Sequence, residues 1–161
     1  MQYMEGKHKT AMITVKFYED VEDRLLKFAV ILTESEGRWV FCKHRERNTF
    51  EMPGGHREEG ETITDAAKRE LYEETGAVRY DIWPVCVYSV SQTEEDDKDR
   101  NGGESFGMLY YARVSTFEKE LHSEIEKIVI TDVFPEHWTY PEIQPHLMEE
   151  AKKRGFWINH V

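Results

Sequence analysis

Residues 62–76 read TITDAAKRELYEETG, and both ends of a helix are written into them. Thr62 followed by Asp65 forms a capping box with Asp in place of Glu, Gly76 supplies a C-terminal stop, and no Pro intervenes, which predicts a helix over about 63–75. At roughly 100° per residue, Glu73 and Glu74 fall about 60° and 40° to either side of Glu70. Ile63, Ala66, Ala67 and Leu71 share that sector, while Asp65, Lys68 and Tyr72 point away. The three carboxylates therefore lie on the flank that must pack against protein. Like charges three and four residues apart repel, and burial adds a desolvation cost, so whatever surrounds this helix has to answer for them.

The answer has to be local, because the chain as a whole carries a formal net charge of -11. Hard divalent cations, Mg²⁺ or Mn²⁺, bind carboxylate oxygens, and a group of acids allows one or two such ions to sit in a water-lined site. Arg69, four residues before Glu73, is in reach to hold that carboxylate. The same acidity repels polyanions at long range, so a duplex nucleic acid is not expected as a partner. A phosphate-bearing ligand needs cations supplied by metal or by a small basic patch. The segment Lys43-His44-Arg45-Glu46-Arg47 and Arg57 offer one, with Lys43, Arg45 and Arg57 the candidate phosphate contacts.

The rest of the chain predicts strands on both sides of this helix. Met12–Tyr18 alternates apolar and polar residues; Phe28–Leu32 and Arg38–Phe41 flank the turn Ser35-Glu36-Gly37 as a hairpin. A strand ending near Met52 runs into Pro53-Gly54-Gly55, which reads as a loop unable to continue a ladder. Ile82–Val90, Phe106–Val114 and Ile128–Phe134 are further strands, and Pro141–Arg154 a final helix with Gly155 after it. Strands that precede, separate and follow helices argue an α/β or α+β fold with helices against a mixed sheet. At 161 residues a single domain over 1–161 is expected. Glu94–Gly103 reads as a polar loop, within which Asp97–Gly102 matches only half of a calcium-binding loop. Cys42 and Cys86 lie in apolar segments without metal-like spacing, as reduced buried thiols do. No apolar run approaches membrane-span length, and the start MQYMEGKHKTAM lacks an apolar signal core. A cytoplasmic protein with no membrane partner, monomer or homodimer, is the expectation.

As a pattern, Gly55, five residues, Glu61, seven residues, then Arg69-Glu70-Leu71-Tyr72-Glu73-Glu74-Thr75-Gly76 resembles the signature of the Nudix hydrolases. Phe50-Glu51-Met52-Pro53-Gly54 resembles the strand and loop leading into it. The final position, usually a bulky aliphatic, is Ala77. The resemblance implies the Nudix α/β/α sandwich, with a mixed β-sheet on which the catalytic helix and a C-terminal helix pack. It also implies Mg²⁺- or Mn²⁺-dependent hydrolysis of a nucleoside diphosphate linked to another group. By that likeness Glu70, Glu73, Glu74 and the carbonyl of Gly55 are metal ligands, and Glu61 braces the loop against the helix. Glu124, in Ser123-Glu124-Ile125-Glu126, looks like the extra acid that many relatives bring to the metals.

In such chemistry divalent ions neutralise the negative oxygens of a phosphoanhydride, so positioning and electrostatics dominate. Glu70 is the first choice of base and Glu124 the second. The resemblance to short MutT-like members favours a nucleoside triphosphate such as 8-oxo-dGTP, cleaved to monophosphate and pyrophosphate. ADP-ribose or nucleotide sugars, RNA 5' ends, and a non-catalytic nucleotide-binding regulator are the alternatives. Trp39, Trp83, Phe106, Trp138 and Tyr140 include the candidates for stacking on a base. If Lys43 and Arg45 meet the substrate phosphates, replacing both with Ala is expected to raise KM strongly in steady-state kinetics, whereas an unchanged KM discards them.

Overall fold

The computed structural model describes residues 12–93, 103–119 and 125–158. Its chain order is β1 (Met12–Tyr18), a 3-10 turn (Asp23–Leu25), β2 (Leu26–Ser35), β3 (Arg38–His44), β4 (Gly54–His56), α1 (Ile63–Thr75), β5 (Ala77–Thr93), β6 (Ser105–Phe117), β7 (Ile125–Thr131) and α2 (Gln144–Lys153). All seven strands join one mixed sheet in the order β1-β5-β6-β2-β3-β7, with β4 attached to β2. β2 and β6 run parallel, and the other strand pairs are antiparallel.

A helix covers each face. Ala29 and Ile31 of β2, with Tyr110 and Ala112 of β6, pack against Ile63, Ala67 and Leu71 of α1. Leu32, Leu109 and Tyr111, one residue out of phase, pack with Leu147, Met148 and Ala151 of α2. The period of two along a strand sends neighbours to opposite faces, so the central strands are apolar on both sides. The result is the α/β/α sandwich.

The outer edge of β2 is shared by two partners. Thr33–Ser35 pair with β3 through a turn at Glu36 and Gly37, both at positive φ (52° and 78°), as a two-residue hairpin turn requires. Phe28–Val30 pair instead with β4. β3 leaves β2 after Val40, pairs with β7, and meets the returning chain at a single bridge, Cys42 to Glu51. This divergence opens the sheet and seats residues 51–55 in the gap.

Several boundaries depart from the sequence-based expectation, β5 among them, which runs Ala77–Thr93 rather than Ile82–Val90. Gly54 and Gly55, expected in a loop, form a ladder with β2: a Cβ at Gly54 would lie 2.5 Å from Ala29 O, so only glycine permits this approach. The last strand spans Ile125–Thr131 rather than Ile128–Phe134, because pairing with β3 fixes it and Phe134 turns off to meet the rings of Trp39 and Trp157. α2 starts at Gln144, with Pro145 in its first turn, where a missing N–H costs least. Glu94–Gly102, including the half-match to a calcium loop, and Glu124 lie outside the described residues.

Leu71 is fully buried under β2. Leu71→Ala is expected to lower unfolding free energy by about 2–5 kcal/mol in urea titrations; a loss below about 1 kcal/mol would contradict the packing of α1 on the sheet.

Candidate active site

The phase of α1 is set at its ends. Thr62 Oγ1 accepts the Asp65 N–H at 3.0 Å, and Gly76, in the left-handed region, closes the helix by donating its N–H to Tyr72 O at 2.8 Å. Between these stops Ile63, Ala66, Ala67 and Leu71 turn inward and take Glu70 and Glu74 with them. Glu73 stays at the rim with its side chain 41 % exposed. The wedge of three acids is thus two buried carboxylates and one half-exposed one.

Both buried acids meet the glycine pair. Glu74 Oε1 accepts the Gly54 N–H at 2.9 Å and faces Cys42 Sγ at 3.8 Å. Glu70 lies so close to Gly55 that a Cβ there would fall 2.2 Å from Oε2. Burial pushes the Glu74 carboxyl up to about 8, with Glu70 and Glu51 adding repulsion. Burial also raises Glu70, and the adjacent Arg69 cation opposes that rise.

Arg69 is the counter-charge. Its Nε and Nη2 donate to the two oxygens of Glu61 at 2.6 and 3.0 Å, while Nη1 donates to Glu70 at 3.1 Å and Glu73 at 3.2 Å. Nη2 also donates to His56 O at 2.9 Å. Glu61 in turn accepts the Glu58 N–H at 2.9 Å, and its bonds to Arg69 hold its carboxyl below the usual range. A planar guanidinium can serve helix, turn and β4 together; a point charge cannot.

Two members of the acid cluster lie outside the expected set. Glu51 is 6 % exposed and meets His44 Nε2 at 3.3 Å and Arg47 Nη1 at 3.0 Å. His44 also stands 3.6 Å from Glu74 Oε2, between two buried carboxylates. An acid between Phe50 and Met52 was visible in the sequence. Its neighbours were not, since they depend on the bridge that lays Glu51 beside Cys42.

The expected phosphate contacts are placed differently from one another. Lys43 Nζ donates to Glu126 Oε1 at 2.5 Å and to His44 O at 3.3 Å, whereas Arg45 is exposed. Arg57 donates to Asp23 Oδ2 at 2.7 Å and to the carbonyls of Asp23, Leu26 and Glu61 at 3.0, 3.1 and 2.8 Å. It clamps the 3-10 turn to the 58–61 turn and lines a separate hollow with Arg24 and Lys27.

On the other side of the glycine pair opens a cleft of ≈ 420 Å³. Phe28, Tyr88, Val90, Tyr140 and Gln144 line it together with Gly54 and Gly55. Of the five aromatic candidates, Tyr140 alone is among the lining residues.

The donor set suits a hard divalent ion. It is made of carboxylate oxygens on one helix flank, two of them buried against a cradle that any side chain at Gly55 would fill. It is spread rather than closed: among the described residues no three His, Cys, Asp or Glu side chains converge on one point. Arg69 holds Glu61, Glu70 and Glu73, His44 stands between Glu51 and Glu74, and the Gly54 N–H holds Glu74.

The NUDIX domain family matches residues 23–154, most of the chain, and the chain belongs to the Nudix hydrolase family. Nudix hydrolases generally need divalent metal ions. A variant of the Bacillus subtilis pyrophosphohydrolase BsRppH shares the fold with a TM-score of 0.73 at 22% identity, over 94% of this chain and 96% of that one. The MutT NUDIX hydrolase from Burkholderia pseudomallei gives 0.59 at 19% over 77% and 95%, and an ADP-ribose pyrophosphatase from Streptococcus suis gives 0.55 at 14% over 81% and 93%. At these identities the likeness carries the fold alone. No curated protein sequence matches the chain.

Arg69→Ala is expected to lower the melting temperature of metal-free protein by about 2–8 °C in calorimetry. Arg69→Lys should recover less than half of that, because one ammonium cannot grip both oxygens of Glu61 and also reach Glu70. Equal melting temperatures for all three proteins would remove Arg69 from its bracing role.

Proposed function

We propose that this protein is a Mg²⁺- or Mn²⁺-dependent pyrophosphohydrolase that cleaves a nucleoside triphosphate to the monophosphate and pyrophosphate. The observation that carries the proposal is the double use of Gly54 and Gly55. One side of the pair receives Glu70 and Glu74, and the other walls a ring-lined cleft of nucleotide size. A nucleoside in that cleft has its phosphates beside the acids.

In this proposal Glu70, Glu73, Glu74 and the carbonyl of Gly55 hold the metal, and Glu124 completes the set from the segment before β7. When bound, the divalent ion neutralises the phosphate oxygens and so makes phosphorus open to attack. Glu70 accepts the proton of the attacking water as the new O–P bond forms. Its Oε2 is engaged by Arg69, so Oε1 is the receiving atom. The bridging P–O bond breaks and its electron pair leaves with pyrophosphate. Arg69 keeps Glu70 and Glu73 in register through Glu61, and the rings of Phe28 and Tyr88 wall the nucleoside end. Arg45 is the exposed cation of the expected patch, and Lys43 reaches phosphate only by leaving Glu126.

A panel of nucleoside triphosphates, ADP-ribose, nucleotide sugars and triphosphorylated RNA, assayed with Mg²⁺ for pyrophosphate or phosphate release, tests the proposal. Triphosphates are expected to give the highest kcat/KM. Chelation with EDTA should abolish turnover, and Glu70→Gln should lower kcat by about 10²–10⁴ with little change in KM. Tight nucleotide binding with no release from any substrate would instead make the protein a regulator.

A further inference from the structure

The Glu74 carboxylate is bracketed by alternate residues of one strand. Cys42 and His44 share a face of β3, as the period of two requires. Cys42 Sγ stands 3.8 Å from Glu74 Oε1, and His44 Nε2 stands 3.6 Å from Oε2. The two oxygens are not equivalent. Oε1 accepts the Gly54 N–H at 2.9 Å, so the backbone fixes that end. The place of Oε2 depends on what faces it, and His44 is a side chain that does.

His44 is in turn set against a fixed group. The same Nε2 is 3.3 Å from Glu51 Oε2, and the other oxygen of Glu51 is taken by Arg47 Nη1 at 3.0 Å. The backbone of Glu51 exchanges two hydrogen bonds with Cys42, at 2.9 and 3.0 Å, which ties it to β3. On the other edge of β3 the ladder to β7 is irregular at this point: Lys43 faces Lys127, yet His44 faces Ile125. Bulges of this kind re-aim side chains beside sites. The imidazole is therefore wedged between a carboxylate that the sheet pins and one that projects from α1.

The charges show what the wedge does. Glu51 and Glu74 repel each other across this gap. Arg69 is spent on Glu61, Glu70 and Glu73. With the imidazole removed, the repulsion acts on Glu74 Oε2 with no spacer, while Oε1 stays tied to Gly54. Resting on the metal-dependent hydrolase reading above, we infer that His44 is a positioning residue: it spaces Glu74 from Glu51 and so presents the Glu74 carboxylate to the divalent ion.

Amide substitutions separate this role from simple filling of space. Gln can place its amide nitrogen where the ring carries Nε2, whereas Asn reaches only to the position of Nδ1. Titration of the metal-stripped full chain with Mn²⁺ at one fixed pH, read by the electron paramagnetic resonance signal of the free ion, needs neither substrate nor turnover. His44→Ala and His44→Asn are expected to weaken Mn²⁺ binding by about 10–100-fold, and His44→Gln by less than about 3-fold. The comparison of Gln with Asn decides the matter even where His44→Ala fails to fold. Unchanged or tighter binding in His44→Asn, an equal loss in the Asn and Gln variants, or no Mn²⁺ binding by the unsubstituted protein would each overturn the inference. The expected pattern of affinities without hydrolysis of any nucleotide in the panel would sink the hydrolase reading and leave the inference standing. Mg²⁺-dependent cleavage together with a Mn²⁺ affinity indifferent to residue 44 would do the reverse.

Discussion

Two carboxylates of α1 are buried where the chain has no side chain at all. Gly54 and Gly55 bring bare backbone against β2 on one side and against Glu74 and Glu70 on the other. A methyl group at either position collides, at 54 with the carbonyl of Ala29 and at 55 with Glu70 itself. The pairing is also electrostatic, since the Gly54 N–H is a fixed dipole aimed at Glu74. The divergence of β3 from β2 exists to make room for this contact, in the sense that a continuous β2–β3 ladder would occupy the same edge. Fold and site are therefore one packing problem.

The cost of holding acids at that point is distributed over three elements. Arg69 draws Glu70 and Glu73 toward Glu61 and the turn before α1, while His44, at the end of β3, stands between Glu74 and Glu51. Even so, desolvation dominates at Glu70 and Glu74, whose carboxyls are both raised. A divalent ion at this point would relieve the repulsion between Glu70 and Glu74 and displace the proton that burial favours on Glu74. Arg57, which the sequence offers as a phosphate contact, serves the same architecture from behind by clamping the turn that carries Glu61.

Much of the fold was legible because its signals are local. The capping box at Thr62, the stop at Gly76 and the alternation in Met12–Tyr18 involve residues within a few positions of one another, and the elements appear where those signals put them. Boundaries failed where a partner strand had the deciding vote. β5 extends to Ala77–Thr93 because β1 and β6 recruit its polar ends, and β7 is shifted because β3 sets its register. Glycine at 54–55 reads as a breaker by propensity, yet its missing side chain is what admits β4 to the sheet.

The sequence by itself determined that α1 would begin at Thr62 and end by Gly76, and therefore that Glu70 and Glu74 would face inward, since helix phase follows from 3.6 residues per turn once the ends are set. Only the tertiary structure decided who receives them. That Glu51 and His44 join the acids, that Arg57 meets Asp23 and Lys43 meets Glu126, and that Gln144 turns its oxygen to Met52 all depend on contacts between residues 7 to 92 positions apart. No local propensity encodes such contacts; they exist once the diverging sheet has brought those segments together.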